Sequence, residues 1–181
     1  MKIRAAAAGD AATLAAIYGH HVAHGFGTFE TDPPSAEDMA ARVAAVRALG
    51  LPYLVAEIDG DVAGFAYGAP FRPRASYRYT VEDSVYIGPD RLGQGIGRAL
   101  LGGVIEACEA LGLRQMVAMI GDSGNDRSIG LHRSMGFEPV GVFRAIGFKH
   151  GRWVDVAMMQ RALNVGADSP PEGPGLPLSG H

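Results

Sequence analysis

A single cysteine, Cys108, is all this chain contains, which excludes an internal disulfide framework and a cysteine-based metal cluster. There is no apolar run of membrane length and no N-terminal signal pattern, so a cytoplasmic location is the expectation. Basic charge is not in excess either. Lys and Arg total 16 against 19 Asp and Glu, a net charge of -3, whereas a general nucleic-acid binder carries a basic stripe. No G-K-[ST] occurs, which removes a P-loop, and no H-E-x-x-H, which removes the commonest zinc signature. His20, His21 and His24 are close together, but a metal needs convergent ligands. His21 is rotated away from the i,i+4 pair His20 and His24, so the three read as an exposed helix end beside a substrate cleft, and no metal is expected.

What is present is the composition of an ordinary soluble protein, 48% hydrophobic and 19% charged over 181 residues, enough for one domain with a sizeable core. The boundaries expected are residues 1–164 for that domain. Val165 to His181 is rich in Pro, Gly and Ser without periodicity and reads as a disordered tail.

Along the chain, Lys2 to Ala5 forms a short strand, and Asp10 caps a helix from about Ala11 to Ala23 whose apolar positions recur at Leu14, Ile17 and Tyr18. Pro33-Pro34 forbids a helix until Ser35 caps the next, which runs to about Leu49 on the face of Met39, Val43 and Val46. Between them, Phe29 and Glu30 are either a hydrophobic plug with a solvated acid or the wall of a substrate pocket. Tyr53 to Ile58 and Val62 to Gly68 alternate as strands joined by the Asp59-Gly60 turn. The polar segment FRPRASYRYTVEDS follows. Arginines grip acid groups bidentately, which makes Arg72, Arg74 and Arg78, interleaved with Tyr77 and Tyr79 and followed by Thr80, candidates for binding a small anionic acceptor. Surface charge on a connection is the alternative.

The stretch from Glu82 to Leu101 organises the rest. An apolar strand (Ser84 to Ile87) meets a turn at Gly88-Pro89-Asp90, then a loop with alternating Gly93, Gly95 and Gly97, then an amphipathic helix carrying Ile96, Ala99, Leu100, Val104, Ala107 and Leu111. Glycines let backbone N–H groups approach a ligand closely. A helix start adds unpaired donors and a partial positive charge, so the loop suits a phosphate or pyrophosphate. A dinucleotide fingerprint fails, since its third glycine position is Arg98 and the next acid at a strand end is Asp122. Gly112 stops the helix. Gln115 to Ile120 reads as a buried strand parallel to the one before the loop, the helix being the crossover. Asn125 to Met135 is a helix closed by Gly136, and Phe137 to Phe143 and Trp153 to Gln160 are two last strands linked by GFKHGRW. The fold class expected is α/β, a central mixed β-sheet flanked by helices.

Leu92 to Gly97, LGQGIG, resembles the [QR]-x-x-G-x-[GA] acyl-CoA loop of the GNAT superfamily of N-acetyltransferases, with Leu92 departing from the usual Gln or Arg. Asn125 to Phe137, an Asn followed by a helix ending in G-F, is similar to the second motif of that superfamily. TFETDP, RYTVEDSVY and GFKHGRWVDV look like its phosphinothricin and methionine sulfoximine acetyltransferase branch, over about Met1 to Arg161. The resemblance implies a GNAT-like fold, acetyl-CoA as co-substrate, no metal, and a small amino acid or analogue as acceptor. It implies Glu82 as base. Acetyl-CoA contacts would come from Val85, Tyr86 and Ile87, from Leu92, Gly93, Gln94, Gly95, Ile96, Gly97 and Arg98, and from Asn125, Ser128 and Ser134. Many members carry Tyr four residues before the Gly of G-F; His132 stands there, as it often does in this branch. Its expected role is to protonate the departing thiolate or to fix the pantetheine end.

The chemistry is consistent with those residues. An amine attacks a thioester only when neutral, and a model α-amino group has a pKa of about 8, so a nearby carboxylate, Glu82, takes its proton directly or through water. Strand N–H groups at Val85 to Ile87 suit the oxyanion. Positioning alone supplies on the order of 7–11 kcal/mol, so no covalent intermediate is needed and Cys108 is spare, a core residue. Phe29, Lys149, His150 and Trp153 are expected to close the acceptor pocket, in a homodimer if the resemblance extends to assembly. The alternatives are acetylation of protein N-termini, lysine or polyamines, and a non-catalytic acyl-CoA-binding module.

Overall fold

Alternating apolar residues in Tyr53–Ile58 (β2) and Asp61–Pro70 (β3) pair antiparallel across Asp59-Gly60. Both turn residues have positive φ, 53° and 92°, the backbone that matches the twist of a two-residue hairpin. The computed structural model describes residues 1–178. In it β2 and β3 belong to one seven-stranded sheet of order β1-β2-β3-β4-β5-β7-β6, where β1 is Lys2–Ala5, β4 Thr80–Ile87, β5 Gln115–Gly121, β6 Glu138–Lys149 and β7 Arg152–Ala162. Among the described residues only β4 and β5 run parallel; every other pair is antiparallel. The sheet is mixed, as expected.

Helices cover both faces. Ala11–His24 (α1) and Ala36–Ala48 (α2) bury Leu14, Ile17, Tyr18, Met39 and Val43 against Tyr53, Val55, Phe65 and Tyr86. Ile96–Ala110 (α3) buries Ile96, Leu100, Leu101, Val104 and Cys108 against Val81, Met116 and Ala118 on the other face, where Asp126–Ser134 (α4) also packs. This is the burial expected of period-two strands between period-3.6 helices. Ser35 caps α2 as read, its side chain accepting from the Asp38 N–H at 3.1 Å. Asp10 does not cap α1. A 3-10 turn at Ala8–Asp10 precedes that helix, and the Asp10 carboxylate instead takes two bonds from Arg4, at 2.7 and 2.9 Å, and one from the Ala7 N–H. The GFKHGRW stretch is not a linker: β6 continues through Lys149, and only His150 and Gly151, both at positive φ, turn the chain into β7.

The largest departure from the sequence reading is the C-terminal segment. Residues 165–178 are not a loose tail. Leu176 is 4% exposed within the α3-side core, and its N–H donates to the Arg78 carbonyl at 2.8 Å. Tyr79 Oη donates to the Gly173 carbonyl and Arg114 to the carbonyls of Gly166 and Pro170. One anchored leucine and borrowed backbone bonds order a composition that has no periodicity of its own. Ser179 to His181 lie outside the described residues.

One irregularity positions the site. The parallel pairing of β4 with β5 covers only Thr80↔Gln115, Val81↔Met116 and Glu82↔Val117, although β4 continues to Ile87 and β5 to Gly121. From Asp83 onward the two strands part, and their edge groups there are free for something other than each other.

Candidate active site

The parted strands open into a cavity of about 440 Å³. One wall is Asp83 to Ile87 of β4, the opposite wall Ala118 to Gly121 of β5. The glycine loop and the start of α3 form the mouth, α4 the floor, and His21 and Gly25 to Gly27 after α1 reach in from the other face of the sheet. Gly121 is required at the far wall, because a Cβ there would occupy the place of the Phe26 carbonyl oxygen.

The mouth is built for an anion. Gly95 is the N-cap of α3 at φ 77°, ψ 0°, and no side chain caps the helix. The first N–H groups of α3 therefore have no intrahelical partner, and the helix dipole places partial positive charge among them. No carboxylate sits on the loop between Gly93 and Arg98. A helix start of this kind suits a phosphate or diphosphate. Of the residues assigned there, Leu92, Gly93, Gly95, Ile96, Gly97 and Arg98 line the cavity and Gln94 does not. Val85, Tyr86 and Ile87 line it as well. Asn125 and Ser128 touch it, but the Asn125 carboxamide is used as the N-cap of α4, accepting from the Ser128 N–H at 3.2 Å. Ser134 lies outside the cavity, bonded to the Leu131 carbonyl and accepting from Arg98 at 3.0 Å.

Neighbours along a strand face opposite ways, and this separates the two acids of β4. Asp83 turns toward α3 and α4, is 6% exposed, and lines the cavity. Glu82 turns to the α1–α2 face and is half-buried. Burial pushes its carboxyl above the ordinary carboxylate range and the Asp83 charge adds to this, against a downward pull from Arg72. No ion pair engages Glu82 among the described residues. His132, 4% exposed, lines the cavity and donates from Nε2 to Asp83 Oδ2 at 3.0 Å and from Nδ1 to the Ser128 carbonyl at 2.7 Å. Burial opposes charge on this ring, but the hydrogen bond and charge of Asp83, with the Ser128 carbonyl, outweigh it and raise its pKa.

Sequence reasoning missed Asp83 and misplaced His21. His21 is not part of an exposed helix end: it packs on the Tyr86 ring at 5.4 Å and donates from Nε2 to the Ile87 carbonyl at 2.9 Å. Burial lowers its pKa, so it serves as a neutral donor fixing the last residue of β4.

The proposed acceptor residues are not brought into the cavity. Arg72 stacks on Phe71, Arg74 opens a 3-10 turn at Ala75–Tyr77, Tyr77 packs edge-on to Phe71, and Thr80 pairs with Gln115. Arg78 donates to the Ala75 carbonyl, and with Tyr79 it meets the C-terminal segment. Glu30 is no solvated acid: Arg42 grips it through two nitrogens at 2.8 and 2.9 Å and Tyr18 donates to it at 2.9 Å. The Phe29 ring lies over Gly147, where no Cβ would fit. Lys149 is buried, donating to the Thr28 carbonyl at 2.7 Å, while Trp153 is 63% exposed and His150 stands edge-on to Phe26. Cys108 is core, its thiol pushed up to about 12 by burial with help from Asp83 and Glu109.

A slot between parted parallel strands, continuous with a glycine-rich helix start, suits a long ligand with a phosphate group at one end, and the acetyltransferase (GNAT) family model matches residues 17–137. The chain belongs to the GNAT family of acetyltransferases. Within it, the chain is an N-acetyltransferase similar to phosphinothricin N-acetyltransferase of Alcaligenes faecalis, at 52% identity over 90% of this chain and 83% of that protein. It is 38% identical to the L-methionine sulfoximine/L-methionine sulfone acetyltransferase of Salmonella typhimurium, over 91% and 95% of the two chains. The crystal structure of a phosphinothricin acetyltransferase from Sinorhizobium meliloti, in complex with acetyl-CoA, superposes with a TM-score of 0.93 at 45% identity, covering 97% of this chain and 95% of that one.

Proposed function

We propose that this N-acetyltransferase moves an acetyl group from acetyl-CoA directly to the α-amine of a small amino acid or analogue, of the phosphinothricin or methionine sulfoximine/sulfone type, within a ternary complex. The observation that carries the reading is the slot between β4 and β5. It is continuous with the glycine-lined helix start, and Glu82 stands on the same strand where the pairing ends. The similarity to enzymes named for those acceptors supports the substrate class.

In this reading the N–H groups of Gly93 to Arg98 bind the coenzyme diphosphate. The unpaired edge of Val85 to Ile87 faces the thioester carbonyl and the oxyanion that develops from it. Glu82 takes the proton of the attacking amine; its raised pKa suits a base working near neutral pH. Arg72, whose charge reaches Glu82, is the candidate for the acceptor's acid group, on the face of the sheet away from the coenzyme cavity. The test is an acceptor panel with acetyl-CoA and a thiol reagent. Methionine sulfoximine or phosphinothricin should exceed N-terminal and lysine peptides in kcat/KM by about 10²-fold or more, since a site built for a small polar acceptor rejects others strongly. Activity on peptides alone would reverse the assignment.

The same reading makes the protein a homodimer in the cytoplasm. Support for the dimer lies in the outermost strand. β6 is an unpaired edge, and Val140, Val142, Phe143, Ile146, Phe148 and Trp153 on the β6–β7 hairpin are exposed, a patch that monomers rarely leave in water. Light scattering should give twice the chain mass, and Trp153→Asp should shift it to one; a monomeric wild type at micromolar concentration would refute the dimer.

A further inference from the structure

Asp83 and His132 form a buried ionic pair whose two members come from β4 and α4, 49 residues apart. Neither is used by the proton transfer assigned to Glu82. A buried anion and a buried ring with no partner would each be costly; together they are matched, but not completely. Asp83 Oδ2 receives the Nε2–H of His132, while Oδ1 is buried without any hydrogen-bond partner. Both nitrogens of the ring are committed, one to Asp83 and one to the Ser128 carbonyl. The ring therefore cannot aim an N–H at a departing group without breaking a bond it already has.

We propose that Asp83 is a positioning residue for the acetyl transfer, holding His132 as a fixed cation that stabilises the leaving thiolate by charge and does not serve as a mobile proton donor. The proposal rests on the acetyl-transfer reading. In that step the amine nitrogen bonds to the acetyl carbon, the C–S bond breaks with its electron pair going to sulfur, and the amine proton passes to Glu82. From there it reaches the thiolate through solvent, giving free thiol and regenerating the carboxylate. A preorganised charge lining the cavity acts on such a developing anion without rearrangement. His21, Arg98 and Arg127 line the same cavity, but His21 is bonded to the Ile87 carbonyl and Arg98 to Ser134, and none of the three bonds the pair among the described residues. On β4 the next acid, Glu82, faces the other side of the sheet; on α3 the Cys108 thiol is neutral; on α4 Ser128 sits one turn back; and the Phe137 ring stands edge-on at 5.0 Å. Asp83 is the carboxylate in contact with the ring.

The sign of the pH effect follows. Asp83 raises the ring's pKa, so His132 keeps its charge to higher pH than a lone histidine would, and removing Asp83 makes the charge disappear at lower pH. Two measurements test this. In NMR of the free wild-type protein, the His132 ring nitrogens should both be protonated at pH 7, and the ring should titrate at lower pH in Asp83→Asn. In steady-state assays, the alkaline limb of kcat for Asp83→Asn should move to lower pH. The loss should be about tenfold on that side and little in acid, with acetyl-CoA affinity within about twofold. The double variant Asp83→Asn/His132→Gln should be no slower than His132→Gln alone, since two residues acting as a unit are not additive. A neutral wild-type ring at pH 7, superimposable pH profiles, or additive losses would each overturn the proposal. The wild-type half of the NMR arm needs no coenzyme and no variant, so it can be read even if Asp83→Asn fails to fold. A charged ring in an enzyme that acetylates no amine would locate the failure in the acetyl-transfer reading and overturn the catalytic role.

Discussion

Glu82→Gln is expected to lower kcat by about 10²–10³-fold, the usual contribution of a positioned general base, while calorimetry finds acetyl-CoA affinity within about twofold of wild type. The separation is expected because Glu82 faces the α1–α2 side of the sheet and does not line the cavity whose mouth is the glycine loop. The substitution conserves shape and breaks no ion pair, so loss of fold is not its natural consequence. Wild-type activity should carry an acid limb above the ordinary carboxylate range, because burial and the Asp83 charge raise the Glu82 pKa. A base works only when deprotonated, so rate is lost as pH falls through that raised value. The limb should vanish in the Gln variant's residual activity. Undiminished turnover would remove Glu82 from the mechanism and leave the acceptor face of β4 without a base.

The distance between what the sequence disclosed and what it hid follows from the physics of each element. The glycine loop and α3 were legible because their signal is local: glycine spacing, helix period and the absence of acids all lie within Gly93 to Leu111. The parallel β4–β5 pair was legible from an apolar run joined through a crossover helix. Its parting after Glu82 was not, because strand separation is decided by what packs between and beneath the strands, far away in the chain. Asp83 stood in plain view beside Glu82. Adjacent strand residues take opposite faces, yet nothing local says which face meets α4, so the acid facing His132 could not be chosen from the base. The arginine segment was legible only in part, for the reverse reason. Its charges are local and conspicuous, but Arg78 and Tyr79 are engaged by residues near Gly173 and Leu176, which composition had set aside as unstructured.

The other large effect is expected from Gly95→Val. Gly95 holds φ 77°, ψ 0°, a backbone that costs an L-residue roughly 1–2 kcal/mol and a β-branched one more. A Cβ built there meets nothing within 4 Å, so the cost within the fold is backbone strain with no steric clash, and much of the stability should survive. The consequence falls on the ligand. The new side chain projects from the N-cap of α3, where the helix donors must come within hydrogen-bond distance of an anion, and relaxing the strain would turn those donors away. Acetyl-CoA affinity should fall by about 10²-fold, roughly 2.7 kcal/mol, with a modest drop in Tm. Gly95→Ala, carrying the strain with less bulk, should fall between Gly95→Val and wild type. That ordering distinguishes blocked approach from general destabilisation, which would lower Tm and affinity in the same proportion. Wild-type affinity in Gly95→Val, measured by calorimetry on folded protein, would mean that the coenzyme diphosphate binds elsewhere. The slot between β4 and β5 would then lose the anchor that aligns a thioester with it.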